Sequence, residues 1–185
     1  MARQSRSEID EEIIDCAAGL FAHQGFGRTS LQQIADALGY SKAGLLHYYP
    51  SKKALYEAVV DTHVSRTRQR TAMLLDFPLG IERDRAMIGA VLEEALRFPG
   101  MAEFGHYMAR EPADDRIGAS GIELIQALGV NVAAPDMDRM ARAFTAMAGA
   151  NFAIRIAGRV GLDEAWRDEI FAAAMRALGY TSFSD

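Results

Sequence analysis

Between Thr29 and Lys52 the chain sets hydroxyls, cations and one imidazole close together: Thr29, Ser30, Ser41, Lys42, His47, Tyr48 and Lys52. Lysine and hydroxyl donors are what phosphate oxygens require, and lysine or histidine can also reach the edge of a base. Ala43, Gly44 and Leu46 lie among them. A small or branched apolar side chain in such company can meet the methyl group of a thymine. The set suits gripping and reading a DNA duplex. It does not suit catalysis. His23, His47, His63 and His106 are scattered, and there is no H-E-x-x-H, no G-x-S-x-G and no glycine-rich phosphate loop. Glu103 and His106 have the three-residue spacing of a carboxylate–histidine metal pair, but the second copy and further acidic ligands of such sites are missing. The expectation is a protein that is not an enzyme and holds neither metal nor cofactor.

Short helices must position these residues. Ser30 and Gln33 have the spacing of a capping box. Leu31, Ile34, Ala35 and Leu38 then form one apolar face, and Gly39 can take the left-handed conformation that stops a helix. Ser41 caps a second helix after a turn of about three residues, the geometry of a helix-turn-helix. This second helix is expected over 43–49, with Pro50 ending it. Leu45 and Tyr49, four apart, should face inward onto Ile34 and Leu38, which leaves Lys42, Ala43, Gly44, Leu46 and His47 outward. Lys42 and His47 are then the base readers, and Thr29, Ser30, Tyr48 and Lys52 the phosphate contacts. Lys52 opens the next helix beside Lys53, where a cation opposes the helix dipole; an external anion would account for it. Ahead of the first helix, Arg3 and Arg6 form either a basic arm for the duplex or a plain polar tail.

The segment from about Glu8 to Ala58 resembles the DNA-binding domain of the TetR (tetracycline-repressor-like) family of bacterial transcription regulators. Ala17, Leu20, Phe21, Gly25 and Phe26 carry the likeness in the first helix and its exit, followed by Thr29, Ser30, Ile34, Ala35, Gly39, Ser41 and Leu45. The run from Tyr48 to Leu55 is similar to the family's H-F-x-S-K-x-x-L. Tyr48 stands where histidine is frequent, Gly44 where a hydrogen-bonding residue is common and Leu46 where many members have an aromatic. A recognition helix this poor in polar readers leaves much of the specificity to apolar contacts and DNA shape.

Composition agrees with an all-α chain. Half of the 185 residues are hydrophobic, with little β-branched clustering. The lone Cys16 rules out an intramolecular disulfide, sits where a small core residue belongs, and suits a reducing cytoplasm. No N-terminal run looks like a signal peptide and no span is apolar enough for a membrane, so a cytoplasmic location without membrane contact is expected. The net charge of −5 is uneven: residues 1–75 carry nine Lys/Arg against eight Asp/Glu, and residues 76–185 eleven against seventeen. A near-neutral reading head precedes a body that repels phosphate.

About nine helices are expected in all: an N-terminal three-helix domain over 1–55 and a helical domain over 56–185 for effector binding and dimerisation. Beyond the third helix they fall at about 51–75, 81–98, 100–110, 114–128, 135–159 and from Asp163 to near Gly179, with breaks at Pro78-Gly80, Pro99-Gly100, Pro112 and Gly129. Met73, Met87, Val91, Phe98, Phe104, Tyr107 and Met108 make the middle helices rich in soft and aromatic side chains. Ordinary core explains them residue by residue; the family resemblance implies an effector cavity here, lined for a small, largely apolar ligand, with Tyr107, His106 and Arg97 as polar anchors. Glu93 and Glu94 read as one solvated carboxylate and one at a buried edge. Phe144, Ala148 and Phe152 on the penultimate helix, with Trp166, Ile170 and Ala174 on the last, fit either internal packing or an interface. One recognition helix contacts too few bases, whereas a twofold dimer reads two half-sites; the resemblance also implies a dimer through these two helices. The expected function is a ligand-responsive regulator, most simply a repressor, that binds a palindromic DNA operator as a homodimer and is released by its effector. The alternative is a helical protein-interaction adaptor without DNA affinity.

Overall fold

Serine and aspartate side chains start six of the helices, each accepting a backbone N–H that the first turn leaves without a helical partner: Ser5, Ser30, Ser41, Ser51, Asp114 and Asp136. The computed structural model describes residues 5–110, 114–161 and 164–181. Among them are nine helices and no strand: α1 Arg6–Arg28, α2 Leu31–Leu38, α3 Lys42–Tyr48, α4 Lys52–Leu75, α5 Ile81–Arg97, α6 Pro99–Arg110, α7 Asp115–Ala127, α8 Met137–Arg159 and α9 Glu164–Ala177. The all-α expectation and its helix bounds hold to within one or two residues. No helix is long and apolar enough to cross a membrane among the described residues.

The chain folds as two compact units. Unit 1 takes residues 1–64 and 98–113, and unit 2 takes 65–97 and 114–185. The boundary expected at residue 55 cuts the chain once, whereas the compact unit around α1 also includes the early part of α4 and all of α6. In unit 1 the core is formed by Ile13, Ala17 and Phe21 of α1, Ile34 of α2, Leu45 of α3, Leu55 and Val59 of α4, and Phe104 of α6. Phe21, Phe26, Tyr56 and Phe104 meet ring to ring at 5.0–6.0 Å, the tilted and edge-on geometry that aromatic quadrupoles favour.

α6 joins unit 1 through two glycines and a carboxylate. A Cβ on Gly100 would lie 2.0 Å from the carbonyl oxygen of Asp15, and one on Gly19 3.3 Å from Gly100 Cα. The Asp15 side chain accepts the N–H of Met101 at 2.8 Å and of Gly100 at 3.2 Å, so it caps α6 from a helix 85 residues earlier. His23 pairs with Glu103 on the same packed pair of helices.

Unit 2 packs α5 against α8 and α9. Ile88 and Leu92 on α5, Ala146, Ala150 and Ile154 on α8, and Met175 on α9 are buried there. The alanines on α8 permit the close approach. Inside lies an almost fully buried carboxylate: Asp84 receives Arg139 Nη2 at 2.6 Å and Nη1 at 2.8 Å, and the Tyr180 hydroxyl at 2.9 Å. Hydrogen bonding to Asp84 holds the Arg139 guanidinium above its ordinary range despite burial, the mark of a buried charge that is fully partnered.

One expectation changes at the N-terminus. Arg6 is the first residue of α1, behind a Ser5/Glu8 capping box, and so lies in the helix instead of a flexible arm. Arg3 lies outside the described residues, as do Pro112 and Asp163.

Candidate nucleic-acid interface

The candidate face begins with how α1 ends. Gly25 breaks the helix with φ 77°, and the chain leaves at Thr29. Thr29 is 1% exposed, and its hydroxyl donates to the Gly25 carbonyl at 2.9 Å and to that of Leu20 at 3.3 Å. Expected at a phosphate, it instead closes the kink from inside. Ser30 takes the outer position. Its side chain accepts from Gln33 N at 3.2 Å while Gln33 Oε1 accepts from Ser30 N at 2.8 Å, completing the capping box of α2. Gly39, at φ 71°, ends α2 in the left-handed region with its N–H on Ala35 and Asp36.

Ser41 then caps α3 by accepting Gly44 N at 3.0 Å. Leu45 is fully buried, as is Ile34 of α2. Tyr49, just past the helix, donates its hydroxyl to Asp10 at 2.6 Å. Burial first, and then Asp10, raises the Tyr49 phenol well above its ordinary value. These two side chains fix α3 from below. Ser41, Lys42, Ala43, Gly44, Leu46 and His47 are left exposed on its outer side, Leu46 at 38%. Tyr48 is half-buried, edge-on to the His47 ring at 5.8 Å. The outward set expected from spacing is therefore the exposed set. Its composition of one lysine, one imidazole and small or branched apolar groups is what the structure offers to a major groove.

Lys52 has a different role from the one expected. Its Nζ donates to the carbonyls of Phe26 at 2.7 Å and Thr29 at 2.8 Å, with Gly27 at 3.4 Å, and sits 4.4 Å from the centre of the Phe26 ring. A cation at the C-terminal end of α1 meets carbonyls that lack helical partners and the negative end of the dipole. Lys52 is thus occupied by the α1–α2 junction. Lys53, its neighbour, is exposed in the first turn of α4. The Lys-Lys pair announced a cation at this helix start, but which lysine turns inward depends on where the end of α1 lies in space.

The remaining expected sites fall as follows. Phe104 and Met108 are fully buried in unit 1, where Tyr107 and Phe98 are half-buried. Phe104 packs edge-on against Tyr56 and His63, as core. His106 and Arg97 are exposed, which removes His106 as an anchor inside a cavity. Met87 is buried and Met73 and Val91 half-buried in unit 2. Of the expected interface residues, Phe144, Ala148, Phe152 and Trp166 are exposed, Phe152 at 66%. Ile170 and Ala174 are buried within the chain and cannot face a partner. Cys16 is half-buried, and burial, then Asp15 and Glu12, pushes its thiol up. Among the described residues no group of acidic, histidine or cysteine side chains could hold a metal ion.

Comparison with known proteins bears on the same segment. Residues 13–59 match the model for "Bacterial regulatory proteins, tetR family". The HTH-type transcriptional regulator RutR of Escherichia coli K12 is 50% identical over 48 residues, which are 26% of this chain and 23% of RutR. The match thus spans only about a quarter of that curated relative. Over nearly the whole chain the likeness is one of fold. AmtR of Mycobacterium smegmatis superposes with a TM-score of 0.58 at 23% identity, covering 99% of this chain and 92% of the other. A TetR-like transcriptional regulator from Rhodococcus sp. RHA1 gives 0.56 at 19%, covering 96% and 99%.

Proposed function

We propose that the chain is a DNA-binding transcription regulator of the TetR kind, on the strength of the family match over residues 13–59 and the likeness to RutR there. It is a repressor that occupies a palindromic operator as a homodimer and is released by a small, largely apolar effector. The observation that carries the reading is α3: a helix fixed from below by Leu45 and Tyr49, with Lys42, Ala43, Gly44, Leu46 and His47 presented outward. Capped ends and a buried underside make the helix rigid, and rigidity is what base readout requires. Ser30, at the start of α2, and Lys53 grip the flanking phosphates, where an N-terminal dipole and a cation are both favourable.

A second copy completes the site. On α8, Phe144, Ala148, Phe152 and Ile156 recur at helical spacing on the exposed side, while Ala143, Ala146, Ala150, Ile154 and Ala157 fill the buried one. An apolar stripe of this length is unusual on a surface left to water. With Trp166 and Ala173 of α9 it forms a face suited to its own twofold mate. Within 56–185 the effector site takes its lining from Met73, Met87 and Val91. Release follows if the effector binds better to a form whose two recognition helices no longer match the half-sites.

Selection of bound fragments from a random DNA library tests the whole reading. The expected result is an inverted repeat whose half-sites are centred about one helical turn, or a multiple of it, apart. Affinity for that repeat should fall steeply between 50 and 200 mM salt. Enrichment of no sequence, together with salt-independent retention, would return the chain to the adaptor class.

A further inference from the structure

A buried cation in unit 2 is less well partnered than its position demands. Arg70, on the part of α4 that belongs to this unit, pairs with Glu94 of α5, and their side chains are only 16% and 18% exposed. The bond uses one terminal nitrogen, Nη1. The Nε is buried and has no acceptor among the described residues. A guanidinium is a planar fork with five donors, and a carboxylate satisfies it best through two parallel bonds along one edge. Here the Nε–Nη2 edge lacks such a partner.

The surroundings do not supply one. Burial draws Arg70 below the ordinary arginine range, whereas partnered Arg139 is held above it. Thr71, next along α4, has already committed its hydroxyl to the Thr67 carbonyl at 2.9 Å. One turn beyond Arg70 stand Met73 and Leu74, and one turn before Glu94 stands Val91. The result is a positively charged edge set in an apolar frame.

Resting on the effector-responsive reading above, we infer that Arg70 is the anchor for a carboxylate on the effector. The effector class is accordingly an apolar monocarboxylate. Its carboxylate lies along the Nε–Nη2 edge of Arg70, its hydrocarbon part runs along Met73 and Val91, and Glu94 keeps Nη1. The site prefers a carboxylate to an alcohol of the same chain length, because a carboxylate accepts along both donors of the Nε–Nη2 edge in charge-assisted bonds whereas a hydroxyl accepts weakly from one. Glu94 also limits affinity, since it places a second negative charge beside the first.

Thermal unfolding of the full chain with sodium octanoate and with octan-1-ol separates charge from hydrophobicity. The melting temperature should rise with octanoate and not with octan-1-ol. In Glu94→Gln the half-saturating octanoate concentration should fall roughly tenfold, as the competing charge is lost. In the double variant Arg70→Met, Glu94→Leu, which removes both charges and keeps the volume, it should rise at least about tenfold. Equal responses to acid and alcohol would overturn the inference. So would a double variant that binds octanoate like the parent, or the absence of any shift across straight-chain acids of about four to sixteen carbons. If the double variant shows no cooperative melting, Glu94→Gln decides alone, and no gain in affinity there is equally fatal. The DNA selection is independent of these measurements, so an effector of another class can be told apart from a chain that does not bind DNA.

Discussion

At the scale of single residues, His47 and the two lysines at 52 and 53 separate reading, gripping and folding. His47 is exposed on the outer side of α3, so His47→Ala should relax preference at one position of each half-site, at a cost of about 1–3 kcal/mol for the preferred base. Equal loss on specific and random DNA would refute its role as a reader. Lys53→Ala should weaken binding to all sequences alike and lower the salt slope by roughly one per half-site. Lys52→Ala should leave that slope unchanged, because its Nζ is already held by Phe26 and Thr29 carbonyls. Its effect belongs to stability, about 1–2 kcal/mol lost at the α1–α2 junction, read as a lower melting temperature. Tyr49 supplies a pH dependence. Its phenol is raised above 10.0 in the fold, so the folded state keeps the proton more tightly than the unfolded chain does. The stabilisation is complete below pH 10 and is lost as pH rises beyond it. Between pH 9 and 11 the parent should therefore lose melting temperature faster than Tyr49→Phe. At neutral pH the variant should be less stable by about 1 kcal/mol, the Tyr49–Asp10 bond being partly open to solvent.

At the scale of elements, the join between α1 and α6 is the feature a linear reading was least able to foresee. Helix starts and stops are local: Ser30 with Gln33, Gly39, Ser41 and Pro50 each act on their own few residues, and so the helix bounds and the outward face of α3 could be read from spacing alone. Asp15 gives no such signal. It caps α6 across 85 residues, and only the packed pair of helices shows why Gly100 has to be glycine. Thr29 and Lys52 were misplaced for the same reason, since polar side chains at helix ends serve phosphate or backbone according to what folds next to them. Ile170 and Ala174 share the spacing of an exposed stripe but lie on its buried side, a rotation about the α9 axis that apolar periodicity cannot fix in an alanine-rich helix. The α1–α6 join can be tested directly. Gly100→Ala places a methyl group against the Asp15 backbone, which cannot move aside as a side chain can, and should cost at least about 3 kcal/mol. Asp15→Ala removes only the cap, for about 1 kcal/mol. If Gly100→Ala proves the milder of the two in chemical denaturation, the close approach of α6 to α1 is not as described.

At the scale of the whole molecule, charge and exposed surface bear on one question, how so sparse a reading head achieves selective binding. Residues 1–75 carry a net charge of only +1 within a chain of −5, so long-range attraction to DNA is weak and affinity has to come from well-placed contacts. On the proposed reading a single α3 offers only the exposed Lys42 and His47 as polar readers. Two copies held at a fixed spacing double both the phosphate contacts and the bases read, and because free energies add, the gain in affinity is multiplicative. On the proposed reading dimerisation is a condition of function, and the exposed side of α8 is where the proposed interface would be broken without touching the core. Phe152 is 66% exposed, between buried Ala150 and Ile154 on the opposite side of the same helix. Phe152→Glu sets a carboxylate in the middle of that stripe, and in a twofold interface each charge meets its own copy or an apolar partner surface. Sedimentation velocity should show a monomer with an unchanged melting transition at low protein concentration. Binding to a full inverted repeat should drop by two orders of magnitude or more, roughly 3 kcal/mol, while binding to an isolated half-site stays as in the parent. A variant that remains a dimer moves the interface away from α8, and one that becomes a monomer yet keeps full-repeat affinity shows that α3 reads its operator without a partner.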